Sequence, residues 1–198
     1  MLAGAAAWKD IKVNTTAYSD RIEMKGYGEH IEYYERDIKV KDGKIVLHND
    51  VLKLRDGAPE GIGTRIFANQ VIEAKRAGID RIECYAYRND SEGWVGYKVW
   101  PKMGYDGSAD NALSSSEELR SAVEKYYPDK DDIMVSDILS MPNGSDLWEK
   151  HGESFEATFD LKKDSASVKI LREYLKRKAQ KLNSTVESLV RVAKIHAL

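Results

Sequence analysis

The residues with the clearest chemical use are Gly61, Ile62, Gly63 and Thr64, which follow an apolar strand pattern. Glycine lets the backbone approach a ligand closely, and the first amides of a helix have no acceptor within it. Because the helix dipole lies behind them, such amides favour a phosphate. The segment therefore predicts a phosphate site formed by these four residues and Arg65. A tight strand-to-helix turn that binds nothing is the alternative.

The elements around this turn occur in the order that such a site needs. Apolar residues recur every three or four positions over residues 61–77, which predicts an amphipathic helix, and Gly78 is typical of the residue that ends one. Alternating patterns predict strands over residues 45–54 and 81–87. Strand, turn, helix and strand in this order indicate a right-handed crossover between parallel strands.

The rest of the chain alternates strand and helix patterns. Asp42-Gly43 lies between alternating runs and predicts a hairpin turn. The remaining predictions are strands with one wet face at 21–25, 29–35 and 37–40, a short helix or turn at 94–100, a polar loop at 107–116, helices at 117–127 and 133–141, a strand at 155–161, and helices at 167–182 and from 185 onward.

Four stretches in order carry a family resemblance: residues 61–67, Ala74, residues 77–79 and residues 102–105. Together they resemble motifs of the GNAT superfamily of N-acetyltransferases, over residues 44–106. The resemblance implies an α/β (α+β) fold with a mixed, splayed sheet and flanking helices, here followed by a C-terminal helical extension. It also implies acetyl-CoA as the acyl donor, lying where two central strands part, with its pyrophosphate on the glycine turn.

Three polar positions of that family are not polar in this chain. Ala58 stands where the family has Gln or Arg, Gly93 where it commonly has Asn, and Trp100 where a Tyr often protonates the coenzyme thiolate. An indole has no proton to give at a useful pKa. A GNAT-like fold that keeps its glycine turn but loses these groups indicates altered chemistry or none.

Two residues are candidate substitutes for the missing catalytic groups. Glu83, in the strand after the helix, is the candidate general base, and Tyr97 is the candidate general acid. Each has a structural alternative. Glu83 is otherwise a solvated strand residue, and Tyr97 otherwise packs in the core.

Composition limits the function classes. The chain has 198 residues, 42% of them hydrophobic, and a formal net charge of -2, which argues against disorder and against a polyanion binder as a whole. Cys84 is the single cysteine, so an internal disulfide framework and a cysteine-rich zinc site are excluded. No apolar run reaches the ~18 residues that span a bilayer. We therefore expect a cytoplasmic protein, or a virion-associated one if it comes from a phage.

Charge is divided unevenly along the chain. Residues 162–198 hold ten Lys and Arg against three acidic residues. We expect a basic C-terminal helical extension there, after an N-terminal arm at 1–19 and a GNAT-like domain at 20–161. Basic helix faces are usually solvated, or dock on an acidic surface or a partner, so nucleic-acid binding by the extension is the less favoured alternative.

Other polar clusters give weaker signals. The four histidines are scattered without metal-ligand spacing, so a metal site is not expected. Residues 114–116 are serines without the G-x-S-x-G context of a nucleophile, which predicts a loop followed by a helix N-cap.

Two functions from different classes follow. The first is an acyl-CoA-binding protein that transfers an acetyl group to an unknown amine. The second is a non-catalytic GNAT-like structural or interaction module of a phage or mobile-element protein, with the basic extension meeting a protein partner. The losses at Ala58, Gly93 and Trp100 support the second.

Overall fold

A computed structural model describes residues 11–182 of the chain. Four strands come first, and helices and further strands follow, with a short 3-10 helix at Pro101–Met103. In chain order the elements are β1 (Lys12–Ala17), β2 (Arg21–Tyr27), β3 (Ile31–Lys41), β4 (Lys44–Leu54), α1 (Ile62–Arg76), β5 (Arg81–Ala86), β6 (Arg88–Asn89), β7 (Trp94–Val95), α2 (Gly96–Val99), α3 (Asp110–Ser115), α4 (Glu117–Tyr126), α5 (Val135–Ser140), α6 (Gly144–His151), β8 (Phe155–Asp160) and α7 (Ala166–Lys181).

The main sheet has six strands in the order β1-β2-β3-β4-β5-β8, and β6 and β7 form a separate pair. The first four strands pair antiparallel with their sequence neighbours. Between β3 and β4, Asp42 and Gly43 have φ angles of 54° and 70°. Two successive left-handed residues are what a two-residue hairpin requires, so the predicted hairpin turn is confirmed.

Helix α1 connects two parallel strands. The amide of Asp80, just before β5, donates to the Ile45 carbonyl oxygen at 2.8 Å. The Ile45 amide, at the start of β4, donates to the Asp80 carboxylate at 2.7 Å. Because β4 and β5 begin at the same edge, they run parallel with α1 as the crossover. The predicted mixed sheet is confirmed, whereas the splayed GNAT arrangement stays a prediction.

The chain forms two compact units. Within the described residues, one comprises residues 11–83 and 159–182 and the other is Cys84–Thr158, so the division falls inside β5 and β8. In the first unit, Phe67 of α1 packs edge to face on Phe159, with 5.2 Å between ring centroids. The glycine turn and the basic helix α7 therefore belong to the same unit.

Several sequence predictions need correction. The polar loop predicted at 107–116 is wrong, because Asp110–Ser115 is helix α3, which buries only Ala112 and so shows no apolar periodicity. Helix α6 was not predicted, and the predicted arm at 1–19 contributes the edge strand β1. Predicted helices at 61–77, 117–127, 133–141 and 167–182 and strands at 81–87 and 155–161 are confirmed with small shifts. The helix predicted from residue 185 lies outside the described residues.

Candidate functional site

The glycine turn leaves two backbone amides without an acceptor. Gly61 has a left-handed φ of 87°, and no side chain caps α1. The Ile62 amide donates to the Pro59 carbonyl oxygen at 3.2 Å. The Arg65 amide donates to the Gly61 carbonyl oxygen at 3.0 Å. Within residues 11–182, the amides of Gly63 and Thr64 have no such partner. These two amides are the donors that a phosphate would take up.

The two glycines of the turn differ in what the fold demands of them. Gly61 needs to be glycine because its φ of 87° is strained for any residue with a Cβ. A Cβ added to Gly63 would meet only the Leu54 side chain, at 3.6 Å, which is ordinary contact. Backbone conformation therefore explains Gly61, whereas packing does not require glycine at Gly63, and a bare backbone there suits the close approach of a ligand.

Helix α1 is fixed on the sheet by a buried polar contact. The side-chain amides of Asn49 on β4 and Gln70 on α1 bond to each other at 2.7 and 3.1 Å. Both residues are buried, as is Arg36, which pairs with Asn49 in the sheet register. Because buried polar groups are costly unless they are bonded, this contact favours one placement of α1 on β4 and so positions the turn.

The basic C-terminal helix reaches the glycine turn. Glu60, directly before Gly61, forms ion pairs with Lys178 at 2.7 Å and Lys181 at 3.2 Å. Hydrogen bonds from Lys178 and Lys181 hold the pKa of Glu60 below its ordinary value. The first turn of α1 contains no acidic residue. Two lysines against one carboxylate leave positive charge at the open end of the helix, where its dipole also favours an anion.

Glu83 lies in different surroundings from those predicted for a base. Its carboxylate accepts from Arg81 Nε at 2.7 Å and Lys41 Nζ at 3.1 Å, and the residue is 9% exposed. Burial alone would raise the pKa of Glu83, but the hydrogen bonds from Arg81 and Lys41 outweigh it, so the pKa is lowered. A carboxylate with a lowered pKa is a weak base.

Glu83 is also displaced along the sheet from the glycine turn. It lies three residues beyond Asp80, the partner of Ile45, and therefore beside the first half of β4. The glycine turn follows the other end of β4, where Leu54 approaches Gly63. The structure thus brings Lys178 and Lys181 to the turn, but not Glu83.

Tyr97 belongs to the second unit and packs within it. The residue is 3% exposed, and its hydroxyl donates to the Glu149 carbonyl oxygen at 3.1 Å. Its own carbonyl oxygen accepts from Trp148 Nε1 at 2.9 Å, and the Arg88 guanidinium lies 5.0 Å from its ring centroid. These contacts match the core-packing alternative for Tyr97. Trp100 packs edge to face on Tyr105 nearby in sequence.

The turn's lysines were missed because no local pattern connects Glu60 with a helix more than a hundred residues later. The charge asymmetry of the C-terminal segment was the one signal, and it did not indicate where the helix docks. No group of three or more His, Cys, Asp or Glu side chains within residues 11–182 is arranged to hold a metal ion.

Comparison with known proteins adds no family assignment, since no family model and no curated protein matches the chain. In the part of the chain that the structure describes, no helix combines the length and apolarity needed to cross a membrane.

Proposed function

We propose that the first unit binds acetyl-CoA or a related acyl-CoA at the start of α1. The pyrophosphate accepts hydrogen bonds from the Gly63 and Thr64 amides, and Lys178 and Lys181 contribute charge. The observation that carries this proposal is an uncapped helix start with two unpaired amides, next to two lysines of α7. The resemblance of residues 44–106 to GNAT proteins supports a coenzyme rather than a free phosphate as the ligand.

Acyl transfer to an amine is the reaction that this ligand would serve. A neutral amine attacks the thioester carbonyl carbon, and the carbon–sulfur bond breaks. The nitrogen loses one proton as the amide forms, and the departing coenzyme thiolate gains one. Glu83 is already held by two cations, and the Tyr97 hydroxyl already donates to a carbonyl oxygen. Transfer therefore depends mainly on orienting the thioester towards an amine that arrives neutral, which can itself supply a large rate factor.

The second candidate is a non-catalytic structural or interaction module of a phage or mobile-element protein. The engaged state of Glu83 and Tyr97 favours it, because neither group is ready for proton transfer. The exposed cations of α7, among them Lys169, Lys176 and Arg177, would then face a protein partner.

Calorimetry and a turnover assay on the full chain separate the two candidates. Acetyl-CoA is titrated up to millimolar concentration, and release of free coenzyme thiol is then followed with a panel of primary amines. The first candidate predicts saturable binding and amine-dependent thiol release. Binding without release would favour the second candidate, and no heat of binding at millimolar acetyl-CoA would overturn the first candidate.

A further inference from the structure

A serine, a histidine and a glutamate meet in the second unit. Ser116 precedes α4, Glu118 lies in its first turn, and His151 ends α6. Ser116 Oγ lies 2.9 Å from His151 Nδ1, and His151 Nε2 lies 3.1 Å from Glu118 Oε2. In sequence order the histidine follows the serine by 35 residues, so sequence spacing alone could not show the contact.

The contacts of His151 assign a role to each ring nitrogen. Nδ1 is hydrogen-bonded to Ser116 Oγ, whereas Nε2 is buried without a hydrogen bond to any described residue and lies within ion-pair distance of Glu118 Oε2. With Nε2 protonated and facing the Glu118 carboxylate, Nδ1 is free to accept from the Ser116 hydroxyl. A nucleophile within reach of a base, and a base oriented by a third group, is the arrangement that activates a serine.

We propose that Ser116, His151 and Glu118 form a hydrolytic site for small acyl esters. Ser116 Oγ attacks the ester carbonyl carbon and its proton passes to His151 Nδ1. The bond from that carbon to the alcohol oxygen then breaks, and the alcohol leaves with the proton from His151. Water attacks the acyl-serine, its proton passes through His151 to Ser116 Oγ, and the acid leaves. Glu118 holds the imidazolium throughout, and no other reactant is needed.

The surroundings of Ser116 define the substrate class. The side chain is half-buried, and the Glu117 amide, next along the chain, has no acceptor within the described residues and can donate to the carbonyl oxygen. An open cleft of about 470 Å³ is lined by residues near in sequence, Asp110, Leu113, Ser114 and Arg120, and Ser116 and His151 are not part of that lining. The neighbours Ser115 and Glu117 are exposed, so the site offers little apolar wall and suits short acyl groups on polar alcohols.

A fluorophosphonate probe on the full chain tests the site, because an activated serine displaces fluoride and keeps the phosphonyl group. We expect labelling at Ser116, located by mass spectrometry, together with hydrolysis of p-nitrophenyl acetate. Ser116→Asn keeps an N-cap acceptor and should fold, yet should lose the label completely. His151→Gln should slow labelling by about 100-fold, the usual lower value for loss of a general base.

Ser115→Ala is the matched control, because Ser115 is adjacent and donates to the Asn111 carbonyl oxygen at 2.8 Å. Its labelling and ester hydrolysis should equal those of the unaltered chain. The thermal midpoint of each variant is recorded, so that a labelling loss through unfolding is recognised. Absence of label on Ser116 in the folded, unaltered chain would overturn the proposal, and so would a folded His151→Gln variant that labels at the original rate.

Discussion

Helices α1 and α4 begin in opposite ways. α4 starts after Ser116, whose hydroxyl accepts from the Leu119 amide, and its first turn carries Glu117 and Glu118. α1 starts after Gly61, with no side-chain cap and no acid in the first turn. The Ser116 cap gives one further amide of α4 an acceptor, and the acids in the first turn complement the helix dipole. At α1 no side chain caps the helix and no acid complements the dipole, and two lysines lie nearby, so an anion from outside is favoured there.

The start of α4 contributes to the stability of its helix, whereas the start of α1 is suited to binding an anion. At α4 the Ser116 hydroxyl caps the helix, and the acids of the first turn disfavour a multiply charged phosphate. At α1 the packing of Ile66, Phe67 and Val71, all buried, and the Asn49–Gln70 contact hold the helix without help from a cap. The energy that a cap would contribute, about 1 kcal/mol, is therefore dispensable at α1.

A carboxylate introduced at the uncapped start of α1 should have the largest effect on acetyl-CoA binding. In Gly61→Glu a carboxylate stands against the phosphates, and the left-handed φ of 87° adds strain of about 1–2 kcal/mol. We expect acetyl-CoA affinity, measured by calorimetry, to fall by about 100-fold or more. Gly78→Glu is the control, because Gly78 has a φ of 74° at the other end of α1 and open space around it. If both variants lose the same affinity for acetyl-CoA, backbone strain explains the loss and the position of the carboxylate does not.

Removing the lysines should have a smaller effect. In Lys178→Gln with Lys181→Gln the anion loses two nearby cations, and we expect acetyl-CoA affinity to fall by about tenfold, or about 1.4 kcal/mol, at low salt. Lys176→Gln is the matched control on α7, since Lys176 pairs with Glu173 at 2.7 Å instead of Glu60. If the control loses as much affinity as the double variant, the overall positive charge of α7 is responsible, and the position of Lys178 and Lys181 beside Glu60 is not.

Ser116→Ala converts the α4 start into an uncapped one. We expect the free energy of unfolding, from urea titration, to fall by about 1 kcal/mol, because the Leu119 amide loses its acceptor. Ser115→Ala should change it by less than about 0.5 kcal/mol, as expected of an exposed position. An unchanged stability in Ser116→Ala would mean that α4 does not depend on its cap.

In the first unit, Glu83 is paired with Arg81 and Lys41 and lies away from the α1 start. The pKa of Glu83 in the folded protein lies below its ordinary value of 4.5. Its ionised form therefore stabilises the fold above that value, and the contribution is lost as pH falls through the folded pKa. Urea unfolding should show Glu83→Gln destabilised near neutral pH, with the difference from the unaltered chain shrinking in acid. A difference that grows in acid would contradict the ion-pair account.

Local features of the fold could be predicted from the sequence, because their causes are local. Asp42-Gly43 favours one hairpin turn, and the apolar spacing of α1 with Gly78 after it determines both ends of that helix. Helix α3 could not be predicted, since six residues with one buried alanine have no readable period.

The candidate site could be predicted only in part. The glycine turn was visible in the residue types, but its lysines come from a helix distant in sequence, and the Ser116–His151 contact likewise joins distant segments. The side-chain chemistry of Glu83 and Tyr97 makes them the candidate base and acid in the sequence. Their partners Lys41, Glu149 and Trp148 are set by tertiary contacts that no single-sequence pattern encodes.

The amide signals of the two helix starts test the central claim most directly. Acetyl-CoA is titrated into the ¹⁵N-labelled full chain, and the amide resonances of Gly63, Thr64, Glu117 and Glu118 are followed by NMR. The account predicts saturable shifts of Gly63 and Thr64 with one binding constant, while Glu117 and Glu118 stay unchanged. Unchanged Gly63 and Thr64 resonances at millimolar acetyl-CoA, or equal shifts at both helix starts, would contradict it.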